Sequence, residues 1–376
     1  MSIALAVSQT REGGFEYIYR KVPMTGALTT TAKSVPTMPA PNAIPFKSTP
    51  LDFSQSPDLS NLKGRSVLIT GAARGIGLAC ATQLAEAGAI VTISDIRSGA
   101  GEAAARELTS KHLRVQFVQS DVTSYPSQAE LFRRAIAFGE GKIDVVVPNA
   151  GICAEQNLLD MMPTDAPDLN VAPPEPGYST MDVNLRGVYY SCYLALHYFR
   201  LPRDASFAPS IILIASLAGY VGFPSSATYS MSKFGVRGLF YGTRDRAAAA
   251  NPPVRMNLVA PWFVPTAMTA QEDFLASEAG AMMKTMGPAQ LAGVVQAVTH
   301  FSADENAHGR AAGIFPQGVL DLGDDLEGGF AGERTQQGIL DIVAAVSAAT
   351  EKPADELTRQ DSAAGTEAGG FMGLVK

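Results

Sequence analysis

Seven short apolar runs, each followed or flanked by a stretch with helical spacing, dominate the middle of this 376-residue chain. The runs span 67–70, 90–95, 115–121, 143–149, 211–216, 254–260 and 312–315. Between them, apolar residues recur at helical intervals near 75–88, 99–110, 126–139, 180–201, 227–250 and 289–302. Runs that are apolar throughout read as strands buried on both faces, and strands that alternate with helices are joined by crossovers into a parallel sheet. The pattern predicts an α/β, doubly wound parallel sheet of about seven strands with helices on both faces, built as one domain over 61–328. The chain is 46% hydrophobic and 17% charged, enough apolar material for such a core and too much for a largely disordered chain.

The ends read differently. Residues 1–60 hold seven of the 24 prolines and clusters of Ser and Thr, and are expected to form an irregular arm. Residues 329–376 form a C-terminal extension, where Ile339, Ile342, Val343 and Val346 mark one amphipathic helix.

A formal charge of −7 gives no electrostatic reason to bind nucleic acid or an acidic membrane. No run approaches the roughly 20 apolar residues of a membrane span. Cys80, Cys153 and Cys192, with His112, His197, His300 and His308, lack metal-site spacing, so no metal is expected and the cysteines read as buried free thiols. Sparse, odd-numbered cysteines fit a reducing compartment, and a cytoplasmic location is expected. A mitochondrial presequence is the weaker alternative, because Glu12 and Glu16 interrupt the basic start.

The first apolar run leads directly into Thr70-Gly71-Ala72-Ala73-Arg74-Gly75-Ile76-Gly77, and a helical pattern follows at once. A chain that leaves a strand, turns sharply and starts a helix presents backbone N–H groups and a helix N-terminus to a pyrophosphate. Glycine supplies the backbone freedom and the close approach. This is a Rossmann-type phosphate-binding turn, with the spacing Gly-x-x-x-Gly-x-Gly. The second run ends in Asp95, placed to accept hydrogen bonds from the adenosine ribose and to repel a 2′-phosphate, which favours NAD over NADP. Arg97 nearby argues the other way.

Farther along, Ser216 ends a strongly apolar run, and Tyr229-Ser-Met-Ser-Lys233 places a phenol and an ammonium one helical turn apart. A nearby positive charge lowers a tyrosine pKa from its usual value of about 10. Such a phenol can exchange a proton with an alcohol or carbonyl oxygen, and Ser216 can hydrogen-bond that oxygen.

Together the glycine turn, Asn149-Ala150-Gly151 and the Ser216, Tyr229 and Lys233 set resemble the short-chain dehydrogenase/reductase family over residues 63–320. The resemblance implies an oxidoreductase on CH–OH donors and assigns Asn184 as the fourth catalytic member, holding a water in the proton path. In the family, Lys233 also grips the nicotinamide ribose, beside Tyr229. Arg74 is a feature of many NADP users there. Asp121, followed by Val122, corresponds to an adenine contact, with a helix cap as the alternative. The sequence Pro261-Trp262-Phe263-Val264-Pro265-Thr266 matches a pattern whose valine and threonine meet the nicotinamide amide and phosphates. Trp262 replaces the family's glycine, and Pro148 its first asparagine.

Tyr220, Phe223, Trp262, Phe263 and Met268, beside Ser216, are the expected substrate-pocket residues. The Met-rich stretch with Phe274, Met282, Met283 and Met286 reads either as an adaptable lid over a bulky apolar ligand or as plain packing. A bulky, largely apolar secondary alcohol or ketone is expected. The proline-rich 163–176 insert and the departures above look like a fungal branch of the family that includes 15-hydroxyprostaglandin dehydrogenase-like and 5′-hydroxyaverantin dehydrogenase-like enzymes, so a polyketide or other specialised metabolite is implied. The alternative is a non-catalytic dinucleotide-binding regulator or scaffold. The resemblance also implies a homodimer or homotetramer, with helix 180–201 as a candidate face.

Overall fold

The computed structural model describes residues 2–9 and 15–22 as backbone, then 50–323 apart from 56, 156, 224 and 225, and lastly Gly338 and Asp341. The expected C-terminal helix around Ile339–Val346 lies outside the described residues. Two compact units are present, 1–44 and 45–376.

In the first unit, β1 (Ser2–Gln9) and β2 (Phe15–Val22) pair antiparallel, from Ser2 opposite Val22 to Gln9 opposite Phe15. The arm, expected to be mostly irregular, thus holds two regular strands. Ile3, Leu5 and Val7, and then Phe15, Tyr17 and Tyr19, recur every second residue, a short strand signal that precedes the proline-rich part of the arm.

In the second unit, β3 (Ser66–Thr70), β4 (Ile90–Asp95), β5 (Val115–Gln119), β6 (Val145–Val147), β7 (Ser210–Ile214), β8 (Arg255–Pro261), β9 (Ala311–Phe315) and β10 (Gly318–Asp321) form one sheet. Their order is β10-β9-β8-β7-β6-β3-β4-β5. Seven strands are parallel, as the alternation predicts, and β10 adds an antiparallel edge. That eighth strand escaped the sequence reading because it is four residues long and mostly outside the core. β6 is shorter than its apolar run. Asp144 turns its carboxylate to the Ser66 N–H, and Pro148 has no N–H to offer a ladder.

Helices α1 (Gly75–Glu86) and α9 (Leu291–Ala303) pack on one another over one face. Helices α3 (Tyr125–Phe138), α5 (Gly187–Tyr198) and α6 (Ala227–Ala248) cover the other, and α2 (Ser98–Ser110) lies against β4 and β5. Right-handed crossovers dictate this two-sided arrangement. Residues 51–62 already belong to this unit: Phe53 packs edge-on against His300 and Phe301 of α9. The C-terminal carbonyls of α9 are met by the fully buried Arg255, which donates to Phe301 O at 2.7 Å, Ser302 O at 3.2 Å and Asp304 O at 2.8 Å.

Chain order reverses between β3 and β6, its two neighbours in the sheet centre. In an open parallel sheet the crevice beyond the carboxyl ends at that point is where ligands bind. Thr70-Gly71 and Asn149-Ala150 close those two ends. Among the described residues, no helix is long and apolar enough to cross a membrane.

Candidate active site

The glycine turn and the end of β6 are locked together. Thr70 Oγ1 accepts from the N–H groups of Asn149 and Ala150, both at 3.1 Å. The Asn149 amide donates back to Thr70 O at 2.8 Å and Gly71 O at 3.0 Å. Gly71 takes φ +63°, and a Cβ there would stand 2.6 Å from Ala150 Cα. A Cβ on Gly77 would meet Asn149 Nδ2 at 2.6 Å and Gly71 O at 2.7 Å. The cradle therefore exists only with glycine, and the N-terminus of α1 opens beside it. Thr266 Cγ2 lies 3.6 Å from the ideal Cβ of Gly75, so the segment after β8 borders the same turn. These features fit a dinucleotide pyrophosphate.

Asp95, at the end of β4, is buried and engaged on both oxygens. Ala73 N–H donates to Oδ2 at 3.2 Å, and Arg97 donates from its backbone at 3.1 Å and from Nε at 3.0 Å, both to Oδ1. Burial alone would raise its pKa. The hydrogen bonds from Arg97 and Ala73 outweigh it and hold the carboxyl below its usual range. Arg97 is thus drawn onto Asp95, while Arg74 is exposed. Asp121 accepts from Thr123 N at 2.9 Å and Thr123 Oγ1 at 2.8 Å, so its local role in the turn before α3 is visible. Val122 is buried, and its carbonyl accepts from Gln128.

Asn184 lies in a single π-turn, Asp182–Arg186, between α4 (Ser179–Met181) and α5. Helical spacing over 180–201 predicts one unbroken helix here, and the π-turn interrupts it. The bulge turns the fully buried Asn184 toward the segment after β6: its Oδ1 accepts from Ile152 N at 2.8 Å and its Nδ2 donates to Ile152 O at 2.8 Å. The same Nδ2 donates to Ser232 Oγ at 3.1 Å, and Ser232 Oγ donates to Tyr229 O at 2.7 Å. Ser232 is a link that sequence reasoning missed, although it lies within the Tyr229–Lys233 turn.

Ser216 follows β7. Its Oγ donates to Pro261 O at 3.2 Å and accepts from Ala218 N at 3.1 Å. Tyr229 hydrogen-bonds with Ser216, and Lys233 Nζ sits 5.6 Å from the Tyr229 ring centre, donating to Ile214 O at 3.0 Å. The ideal Cβ of Gly151 would lie 3.3 Å from Asn184 Oδ1 and 3.8 Å from Lys233 Nζ. So Asn184, Ser216, Tyr229 and Lys233 converge beside the glycine turn.

The electrostatics correct one expectation. Burial pushes the Tyr229 phenol up to about 12; Cys153 adds to the rise and the Ser216 hydrogen bond opposes it. Burial likewise lowers Lys233 to about 8, with Cys153 opposing. Desolvation of both groups thus prevails over the helical-turn proximity that was expected to lower the phenol's pKa. Cys80 and Cys192 are buried thiols, whereas Cys153 is exposed, contrary to expectation.

The expected pocket residues differ in exposure. Tyr220 and Trp262 are buried, and the Trp262 ring centre lies 5.5 Å from that of Phe223. Tyr220 lies beneath the Arg237 guanidinium at 3.9 Å. Trp262 donates from its indole to Gly287 O at 3.2 Å and packs edge-on against Phe263. Phe223, Phe263 and Met268 remain half-buried. Phe263 bridges Phe223, at 5.7 Å between ring centres, and Phe274, at 5.5 Å. Phe274 belongs to α7 (Glu272–Ala276), followed by α8 (Glu278–Met286), two helices absent from the sequence reading.

The model for the family described as short chain dehydrogenase matches residues 65–274. The chain belongs to the short-chain dehydrogenase/reductase family, oxidoreductases acting on CH–OH donors. It is 42% identical over 285 residues to the 5′-hydroxyaverantin dehydrogenase of Dothistroma septosporum, covering 74% of this chain and 92% of that protein. It is 38% identical to 5′-hydroxyaverantin dehydrogenase stcG of Emericella nidulans, covering 76% and 94% respectively. The NADP-dependent dehydrogenase clz5 of Cochliobolus lunatus is 34% identical over 57% of this chain and 76% of its own length. Among solved structures, the crystal structure of gox2181 matches with a TM-score of 0.55 and 27% identity, over 67% of this chain and 95% of that one.

Proposed function

We propose that this protein interconverts a bulky, largely apolar secondary alcohol and its ketone with a nicotinamide dinucleotide, NAD in preference to NADP, and that the substrate is an aromatic polyketide or related specialised metabolite. The observation that carries the reading is the convergence of Asn184, Ser216, Tyr229 and Lys233 beside a cradle that only glycine permits.

When bound, the dinucleotide supplies the hydride donor or acceptor. Gly71, Arg74, Gly75, Ile76 and Gly77 would hold its pyrophosphate, and Asp95 the adenosine ribose. Asp121 and Val122 would border the adenine. Asn149, Ala150, Gly151, Pro261, Val264 and Thr266 would enclose the remainder. The residues of the chain then manage the proton. Tyr229 gives its phenolic proton to a carbonyl oxygen, or takes one from an alcohol. Ser216 donates a hydrogen bond to that oxygen and stabilises its developing charge. Lys233 in its protonated form would offset part of the burial penalty on the phenolate, and Asn184 ties the proton path to the segment after β6.

Phe223, Phe263 and Phe274 offer ring faces and edges suited to an aromatic substrate, with Met268, Met282 and Met286 as adaptable neighbours. The two relatives named for 5′-hydroxyaverantin support this substrate class. Exposed Tyr189 and Tyr193 on α5, with Met231 and Phe234 on α6, support a homodimer or homotetramer. We also propose a cytoplasmic location.

Cofactor choice is tested by titrating the protein with NADH and NADPH in parallel. NADH is expected to bind at least about tenfold more tightly, a difference of about 1.4 kcal/mol. Asp95→Ser removes the repulsion of a 2′-phosphate and releases Arg97, so it should erase or invert that ratio. Tighter NADPH binding by the unaltered protein would contradict the assignment of Asp95.

A further inference from the structure

Two of the helices that build the site start on one buried carboxylate. Glu155 lies four residues beyond Gly151, in the segment after β6, and is 8% exposed. Its Oε1 accepts from Ser179 Oγ at 2.7 Å and from Thr180 N at 3.1 Å, the first residues of α4. Its Oε2 accepts from Thr228 Oγ1 at 3.2 Å, in the first turn of α6. Its backbone carbonyl accepts from Ser226 Oγ at 3.0 Å, and Ser226 is the N-cap whose hydroxyl accepts from the N–H of Tyr229 itself, at 3.3 Å.

An anion at a helix N-terminus is stabilised by the unpaired N–H groups and the helix dipole. Here the carboxylate meets the Thr180 N–H at the start of α4 and the Thr228 hydroxyl in the first turn of α6. The cost of desolvating the charge is offset by three hydrogen bonds to its two oxygens, and hydrogen bonds, chiefly from Thr180 and Ser179, hold its pKa at about 2 although burial alone would raise it. These hydrogen bonds favour the ionised form of Glu155. Downstream of these ends lie the two groups whose separation matters most: Asn184 follows α4 directly, and Tyr229 is the next residue after Thr228.

We propose that Glu155 is a positioning residue that fixes the spacing between Asn184 and Tyr229 by binding the starts of both helices at once. This rests on the reading of Tyr229 as the proton-transfer group. Glu155 touches neither the glycine turn nor Asp95, so the dinucleotide site should not register its loss. A displacement of about 1 Å in a reacting group is worth about 10²-fold in rate, and that is the effect to look for.

The test compares Glu155→Ala, Glu155→Gln and Tyr229→Phe, using NAD and an aryl secondary alcohol such as methyl naphthyl carbinol, with NADH affinity measured on the same preparations. Glu155→Ala should lower kcat by about 10²-fold while NADH affinity and KM stay within about twofold. Glu155→Gln keeps a carbonyl acceptor for Thr180 and Ser179 and should recover about tenfold of that loss. Should Glu155→Ala fail to fold, Glu155→Gln and Thr228→Val carry the same readings, with smaller losses in kcat alone. An unchanged kcat per folded site overturns the proposal. So does a parallel fall in kcat and NADH affinity with no recovery in the Gln variant, which marks general loss of structure. If Tyr229→Phe is inactive while Glu155→Ala behaves as wild type, the Glu155 proposal alone falls. If Tyr229→Phe retains full turnover, the reading beneath it falls as well.

Discussion

Replacing Tyr229 with Phe should reduce turnover by about 10²–10⁴-fold, the usual contribution of a positioned general acid or base. The substitution removes a single oxygen. Nothing in the backbone depends on it: Tyr229 N is held by the Ser226 cap and Tyr229 O by Ser232, so α6 keeps its start. Lys233 stays on Ile214 O. The loss should therefore fall on kcat, with NADH affinity nearly unchanged. A variant with wild-type kcat would remove Tyr229 from the chemistry and leave the convergence of the four residues without its proposed purpose.

The second large effect is expected at Gly71. An alanine there must adopt φ +63°, which costs about 1–2 kcal/mol for a residue with a Cβ. It must also place that Cβ 2.6 Å from the backbone of Ala150, which cannot retreat without breaking the Thr70 and Asn149 hydrogen bonds. The turn and the end of β6 would separate. Gly71→Ala should weaken NADH binding by about 100-fold, or about 2.7 kcal/mol, and lower the melting temperature. Calorimetric titration and thermal unfolding on one preparation measure both. Retention of wild-type NADH affinity would show that this turn is not where the dinucleotide sits.

Most of the dinucleotide half of the site was legible in the sequence because strand, turn and helix are consecutive there. The glycines, Asp95 and the Asn149 turn each follow an apolar run, and a parallel sheet brings the carboxyl ends of β3, β4 and β6 to one edge. Ser216, Tyr229 and Lys233 were legible for a related reason: one closes a strand and the others lie one helical turn apart. What escaped depended on long-range partners. The indole of Trp262 donates to Gly287 O, 25 residues away, a partner that local spacing does not point to. The π-turn at Asn184 has no composition signal, since it is set by the two hydrogen bonds to Ile152. The pKa values of Tyr229 and Lys233 depend on burial, which local spacing does not reveal. Glu155 stood unmarked in a loop because its partners come from two other segments.

The proposed function has these residues exchange a proton with a bulky aromatic secondary alcohol as NAD is reduced. The most direct test is to follow NADH absorbance with the purified full-length protein on a panel of aromatic polyketide alcohols and small aliphatic alcohols. NADH should form with the polycyclic secondary alcohols at a kcat/KM well above that for the aliphatic ones. NADH formation confined to small or charged alcohols would contradict the substrate assignment, and its absence across the panel despite dinucleotide binding would contradict the catalytic one.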